Sequence, residues 1–112
     1  MGDGTGTGGT RKTILVVESD KEILELTTEN LELRGCSVTP MLYRPDVDVP
    51  RATRFDLAIV SGLKGDYFRV LESVDAERKI LLSGNPSYVE RAKQMGIEAY
   101  MKPKSVEDFL KD

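Results

Sequence analysis

The sequence predicts an α/β domain built on a parallel β-sheet, and two observations lead to this fold class. Continuous apolar runs rich in β-branched residues, typical of strands buried on both faces, alternate with amphipathic segments of helical period. A polar residue follows directly after each apolar run. Such alternation favours parallel strands joined by right-handed crossovers. Ligands bind beyond the carboxyl ends of such strands, so the residues that end the strands form the candidate site.

Five segments have the character of strands. They are 13–17, 36–42, 55–61, 79–84 and 98–102. The second is the weakest, because Pro40 is typical of an edge strand or a strand end.

The first helix is predicted over residues 20–35. Asp20 suits its N-cap, and Gly35 suits the position just after its end. The helical period turns one set of side chains toward the sheet: Ile23, Leu24, Thr27 and Leu31.

Two further helices lie on either side of the fourth strand. Residues 66–78 predict a short one, whose inward side chains are Phe68, Leu71 and either Val74 or Val70. Residues 85–96 predict the other, with Asn85 as N-cap, Pro86 in the first turn and Gly96 after the end. Ser105 and Asp108 form a capping-box pattern at the start of a last short helix, whereas two prolines in 44–54 leave the helix there short or missing.

Composition bounds the function classes. With 112 residues the chain suits one domain, expected over 12–112, behind a flexible Gly/Thr-rich arm at 1–11 that is either native or an expression remnant. The arm's G-x-G-x-x-G spacing lacks a preceding strand, so it predicts no nucleotide site. A net charge of −3 argues against a nucleic-acid partner. No apolar run approaches the roughly 18 residues that a membrane span needs, which favours a cytoplasmic protein with no membrane partner.

The absence of histidine excludes Ser-His-Asp and Cys-His catalysis, imidazole metal sites and a phosphohistidine carrier. Cys36 is the only cysteine, so neither an intramolecular disulfide nor a thiolate metal cluster can form in one chain. We expect Cys36 to serve in packing.

The strand ends carry a recognisable set of residues. Glu18, Ser19 and Asp20 follow the first strand, Ser61 ends the third, Ser83 ends the fourth, and Lys102 with Pro103 ends the fifth. The stretches "ILVVESD", "FDLAIVSG", "ILLSG" and "AYMKPKS" resemble, in order and approximate spacing, the four signature stretches of the response-regulator receiver domain.

The resemblance implies a flavodoxin-like (βα)₅ doubly wound sheet with strand order 2-1-3-4-5. It also implies a phosphorylated aspartate at the end of strand three, an acidic pair that holds Mg²⁺ after strand one, and a hydroxyl and a lysine that contact the phosphoryl group. Ser83 and Lys102 match the last two, and Glu18 matches the first acid. Ser19, however, stands at the metal-binding acid, and Ser61 stands at the phosphorylated position.

These two replacements remove the groups that perform the family's chemistry. A serine hydroxyl needs a general base to match an ionised aspartate as nucleophile, and Mg²⁺ prefers anionic oxygen ligands. We therefore expect a degenerate receiver, or pseudo-receiver, that is not an enzyme and has no cofactor or metal. It would act in signal transduction by binding a protein partner, a neighbouring domain of a longer chain or a second copy. Lys102 is expected to pair with Glu18, and Asp20 to cap the first helix rather than to rescue a metal site.

Further departures concern the switch and the partner surface. Family receivers carry an aromatic residue three positions before the lysine, where this chain has Ala99, and Tyr100 is predicted to serve in packing. The 22 positions from Ser61 to Ser83 predict a short third helix. The face that receivers commonly use for partners would draw on Tyr88, Arg91, Ala92, Met95, Tyr100, Lys104 and Phe109.

Several alternatives stay open at this point. A regulated receiver could use another phosphoryl acceptor, namely Asp20, Asp66 or Ser61. Ser61, Ser83, Lys102 and the amides after Gly84 could instead form a weak anion site or, with less support, a Ser-Lys dyad. A ligand-binding flavodoxin-like domain is disfavoured, because no Gly/Ser/Thr phosphate loop follows the first strand.

Overall fold

A computed structural model describes residues 12–44 and 53–102, apart from the side chain of Lys64. Strands and helices alternate along the described residues as the sequence predicts, except between the second and third strands, where residues 45–52 lie outside the described part. In chain order they are β1 Thr13–Glu18, α1 Lys21–Leu33, β2 Ser37–Leu42, β3 Arg54–Ser61, a 3₁₀ turn Leu63–Gly65, α2 Tyr67–Ser73, β4 Asp75–Ser83, α3 Pro86–Gln94 and β5 Glu98–Met101.

The five strands form one parallel sheet with the spatial order β2-β1-β3-β4-β5. This is the flavodoxin-like order 2-1-3-4-5 that the resemblance implies, and it confirms the predicted fold. The direction of winding reverses between β1 and β3, so the topological switch point lies at their carboxyl ends. β2 is an edge strand, as Pro40 predicts.

Helices cover both faces of the sheet. Leu15 and Val60 point to the face covered by α2 and α3, while Ile14 and Ile59 point to the face covered by α1. Because alternate residues of a strand face opposite sides, both sets must be apolar. This explains the continuous apolar runs.

The predicted helix ends are confirmed at α1 and α3. Asp20 accepts hydrogen bonds from the first-turn amides of α1, and Asn85 does the same for α3. Gly35 and Gly96 follow the two helices with φ of +85° and +79°, a region that favours glycine.

Three expectations about side chains and boundaries are wrong. The helix predicted over 66–78 ends at Ser73, because the residues from Asp75 onward pair with the start of β3. Phe68, which the sequence predicts to face inward, is 38% exposed. The residue before it in the chain, Tyr67, is buried together with Val70. The other wrong inward assignment is Ile23, also 38% exposed, since its position on α1 is about 100° from the buried Leu24. The helix after strand three is short, as predicted, with seven residues.

Several predicted features lie outside the described residues: the arm at 1–11, most of 44–54, and the last helix with Ser105 and Asp108. Within the described ranges, no helix is long and apolar enough to span a bilayer. Cys36 is half-buried and packs against the α1-side cluster, in keeping with its predicted packing role.

Two leucines on α1 provide a matched test of the packing. Leu31 is fully buried, whereas Leu33 is 80% exposed. We expect Leu31→Ala to lower the free energy of unfolding by about 2–5 kcal/mol, because it leaves a cavity under α1. Leu33→Ala should change it by less than about 0.5 kcal/mol. Urea titration followed by circular dichroism measures both, and equal losses would contradict the assignment of the α1 faces.

Candidate functional site

Four strands deliver their last side chains to one edge of the sheet. Glu18 ends β1, Ser61 ends β3, Ser83 ends β4, and Lys102 follows β5. The register between neighbouring strands fixes how far each strand extends toward this edge. Just beyond β5, the backbone N–H of Lys102 donates to the carbonyl of Ser83 at 2.9 Å. The predicted site residues at these strand ends therefore do come together.

Glu18 is the centre of this site. Its side chain is only 8% exposed, and both carboxylate oxygens are occupied. Oε1 accepts from the hydroxyl of Ser61 at 2.6 Å and from Lys102 Nζ at 3.1 Å. Oε2 accepts from the backbone N–H groups of Ser19 and Asp20 at 2.9 and 3.0 Å. A buried carboxylate is stable only with such partners, and the expected Lys102–Glu18 pair is present.

The other two polar residues after β1 point elsewhere. Asp20 Oδ1 accepts from the N–H groups of Glu22 and Ile23 at 2.9 and 3.2 Å, so its carboxylate caps α1 as predicted. Ser19 is exposed. The combination of Glu18 and Asp20 as metal ligands is thus opposed by the bonds that both carboxylates already make.

Ser83 is enclosed by the loop that follows β3. Its hydroxyl is buried and accepts from the N–H of Asn85 at 3.1 Å. A Cβ at Gly62 would stand 2.9 Å from Ser83 Oγ and 3.0 Å from the ring of Tyr88, so only glycine fits there without a shift. Tyr88 also packs against Tyr67, with ring centroids 5.4 Å apart.

A cluster that the sequence did not predict lies beside the site. Tyr43 donates its hydroxyl hydrogen to the carboxylate of Asp66, and Arg69 forms a forked pair with the same carboxylate, with Nη2 at 2.7 Å. The backbone N–H of Tyr43 donates to the carbonyl of Glu18 at 2.8 Å. The i,i+3 spacing of Asp66 and Arg69 could have suggested their pair, but nothing local indicates Tyr43.

This cluster shifts two pKa values in opposite directions. The hydrogen bonds from Arg69 and then from Tyr43 hold the pKa of Asp66 below its usual value. The bond to the Asp66 carboxylate raises the pKa of the Tyr43 hydroxyl, because it favours the protonated phenol.

The predicted partner surface divides between the two faces of the sheet. Tyr88 packs with the cluster under α2 and α3, whereas Tyr100 packs with the α1-side cluster and donates to Glu98. Any surface that includes both must therefore wrap around the edge strand β5. Arg91 and Met95 are exposed, but Ala92 is buried. Pro103, Lys104 and Phe109 lie outside the described residues.

The architecture and the four strand ends define the class of fold as that of response-regulator receiver domains. No protein-family model and no curated protein matches the sequence. Solved structures do match. One is a response regulator from Burkholderia pseudomallei with a phosphorylated aspartic acid, a calcium ion and citrate; identity is 24% over 88% of this chain, with a TM-score of 0.69. This chain covers only 64% of the length of that protein.

Two receiver domains match over most of both chains. The CheY-like receiver domain protein of Methanospirillum hungatei is 22% identical, with a TM-score of 0.59, over 90% of this chain and 89% of that one. The non-phosphorylated HemR receiver domain of Leptospira biflexa is 22% identical, with a TM-score of 0.58, over 89% of each. At sequence identities this low, the structural matches establish a shared fold and nothing further.

The residues of this chain do not fit the Mg²⁺ site that the fold implies. Glu18 offers the one carboxylate at the strand ends in the described residues, and it already accepts four hydrogen bonds. Ser61 stands at the other central position as a hydrogen-bond donor. Hard divalent cations need several oxygen ligands with free lone pairs, so no step is assigned to a metal here.

Acid titration tests the Tyr43–Asp66–Arg69 cluster. Because the pKa of Asp66 is lower in the folded state, its stabilising contribution is present above the unfolded value of about 3.9 and is lost as pH falls through the folded value. We expect Asp66→Asn to be less stable than the wild type near neutral pH, and the difference to shrink on acidification. Urea midpoints measured across this range, with the exposed Glu72→Gln as control, give the comparison. A deficit that stays constant with pH would contradict the role of the Asp66 charge.

Proposed function

We propose that this chain is a receiver-like domain that acts in signal transduction by binding a protein partner, without phosphorylation of an aspartate. The observation that carries the proposal is the hydrogen bond from Ser61, at the end of β3, to the carboxylate of Glu18. In a phosphorylated receiver this strand end presents a nucleophilic carboxylate. Here it presents a neutral hydroxyl.

Two features argue against Ser61 as a substitute nucleophile. Ser61 is 5% exposed, so an in-line phosphoryl donor has little access to its oxygen. The atom that could take the proton of the Ser61 hydroxyl is Glu18 Oε1. This oxygen also accepts a hydrogen bond from the ammonium group of Lys102, whose positive charge makes Oε1 a weaker general base.

The edge of the sheet at α3 and β5 is the proposed contact surface. Arg91 is exposed there, and Met95 and Met101 are 46% and 41% exposed. Methionine side chains adapt to irregular partner surfaces, which suits an interaction site. Sequence reasoning singled out Met95 but not Met101, which stands within the predicted fifth strand.

The alternative function is a receiver that is phosphorylated at another residue. The candidates are Asp20, Asp66 and Ser61, and each already has a structural role. Asp20 caps α1, Asp66 pairs with Arg69, and Ser61 donates a hydrogen bond to Glu18. A phosphoryl group on any of them would have to be accommodated at a group that already makes these bonds. Intact mass after treatment with a small phosphodonor distinguishes the two functions: an added phosphoryl group that hydroxylamine removes would support an aspartyl acceptor.

Restoring the missing carboxylates provides a direct test of the proposal. With Mg²⁺ and beryllofluoride, the amide NMR spectrum of the wild type should stay unchanged. The double variant Ser19→Asp with Ser61→Asp should gain shifts at the ends of β1, β3 and β4, because two added carboxylates supply the anionic ligands that Mg²⁺ needs.

The matched control is Ser19→Asn with Ser61→Asn, which has similar side-chain volume and no added charge. It should resemble the wild type. Localised shifts in the wild-type spectrum at the strand ends would overturn the proposal, whereas shifts only in the Asp variant would support it.

A further inference from the structure

A groove of about 430 Å³ lies between α1 and the edge strand β2, away from the contact surface proposed above. Its floor is apolar and consists of Leu24, Pro40 and Leu42. One wall is the flank of α1. Ser61 and the other residues of the candidate functional site do not line the groove.

The α1 wall of the groove carries three glutamates and, four residues before the first of them, one lysine, Lys21. Glu25, Glu29 and Glu32 all line the groove, at i, i+4 and i+7 of the helix, and all three are exposed. Such spacing places the carboxylates on one flank, where they repel each other. None of the ion pairs between residues within 12–44 and 53–102 involves them. Cations brought by a partner would relieve that repulsion.

On the side of the three glutamates away from the groove floor, α1 carries two exposed apolar side chains. Leu26 is 62% exposed and Leu33 is 80% exposed. On a helical wheel the three glutamates lie between these leucines and the buried Leu24. The surface therefore consists of an apolar floor, an acidic row and an apolar shoulder, along a helix of 13 residues, or about 20 Å.

The edge strand is poorly suited to the addition of another strand. A proline within a sheet is found where its missing N–H would face solvent, so Pro40 interrupts the bonds that an added strand needs. A helix needs no backbone partner. It can place apolar side chains on a groove floor and charged ones on its rim.

We propose that the groove between α1 and β2 binds a basic amphipathic helix of a partner protein. Its apolar residues would contact Leu24, Pro40 and Leu42, and its Lys or Arg residues would pair with Glu25, Glu29 and Glu32. The occupant is defined by charge complementarity to this acidic row.

A synthetic peptide of about four helical turns can serve as the probe, with Leu on one face and Lys on the other. Its affinity for the full chain is measured by fluorescence anisotropy, and its contact site by amide NMR shifts. We expect shifts on α1 and β2. The triple variant E25Q/E29Q/E32Q should bind about 3- to 30-fold more weakly, because three exposed charge pairs are lost.

The matched control is E72Q/E77Q/E90Q, which removes three exposed glutamates outside the groove and changes net charge equally. It should bind as the wild type does. Equal weakening of both variants, equal binding of a sequence-scrambled Lys/Leu peptide, or shifts away from α1 and β2 would overturn the proposal. So would a dimer in sedimentation velocity that protects the α1 amides and excludes the peptide, because the occupant would then be a second copy.

Discussion

A buried carboxylate is the constraint on which the carboxyl edge of this sheet depends. Glu18 is withdrawn from water at the topological switch point, and an ion in that position must be compensated on every side. Its partners come from positions 43 and 84 residues further along the chain, Ser61 and Lys102, and from the amides of the turn that leads into α1. Strand register, helix start and loop conformation must all agree for these groups to meet.

The same constraint is met by groups of the chain itself. One glutamate and one lysine neutralise each other, and a hydroxyl completes the shell of the carboxylate. A strand end with three carboxylates would repel itself and would require an external positive charge. In the proposed function, Ser19 and Ser61 therefore have a second effect besides the loss of the nucleophile. Because neither serine adds a negative charge, Lys102 balances the charge of Glu18 in the folded domain. Under that proposal, information would travel through binding surfaces rather than through a phosphoryl group.

The features that sequence predicted are those fixed by local chemistry. Apolar runs located the strands, and Asp20 and Asn85 located the helix starts through side-chain bonds to nearby amides. The Lys102–Glu18 pair followed once both were placed at parallel strand ends. Other features fixed by distant contacts were missed. The polar residues after Val74 extend β4 because β3 lies beside them, and Tyr43 reaches Asp66 only in the folded chain.

The helix α1 connects the site to the groove. Glu18 Oε2 holds the amides of Ser19 and Asp20, and Asp20 in turn caps the first turn of α1. The groove wall is the flank of that same helix. A rearrangement of the Glu18 carboxylate would therefore alter how α1 enters the fold, and a partner that fixes α1 would favour one arrangement of Glu18. If a partner binds this flank, any coupling between the two sites would run through α1 and would be reciprocal in binding free energy.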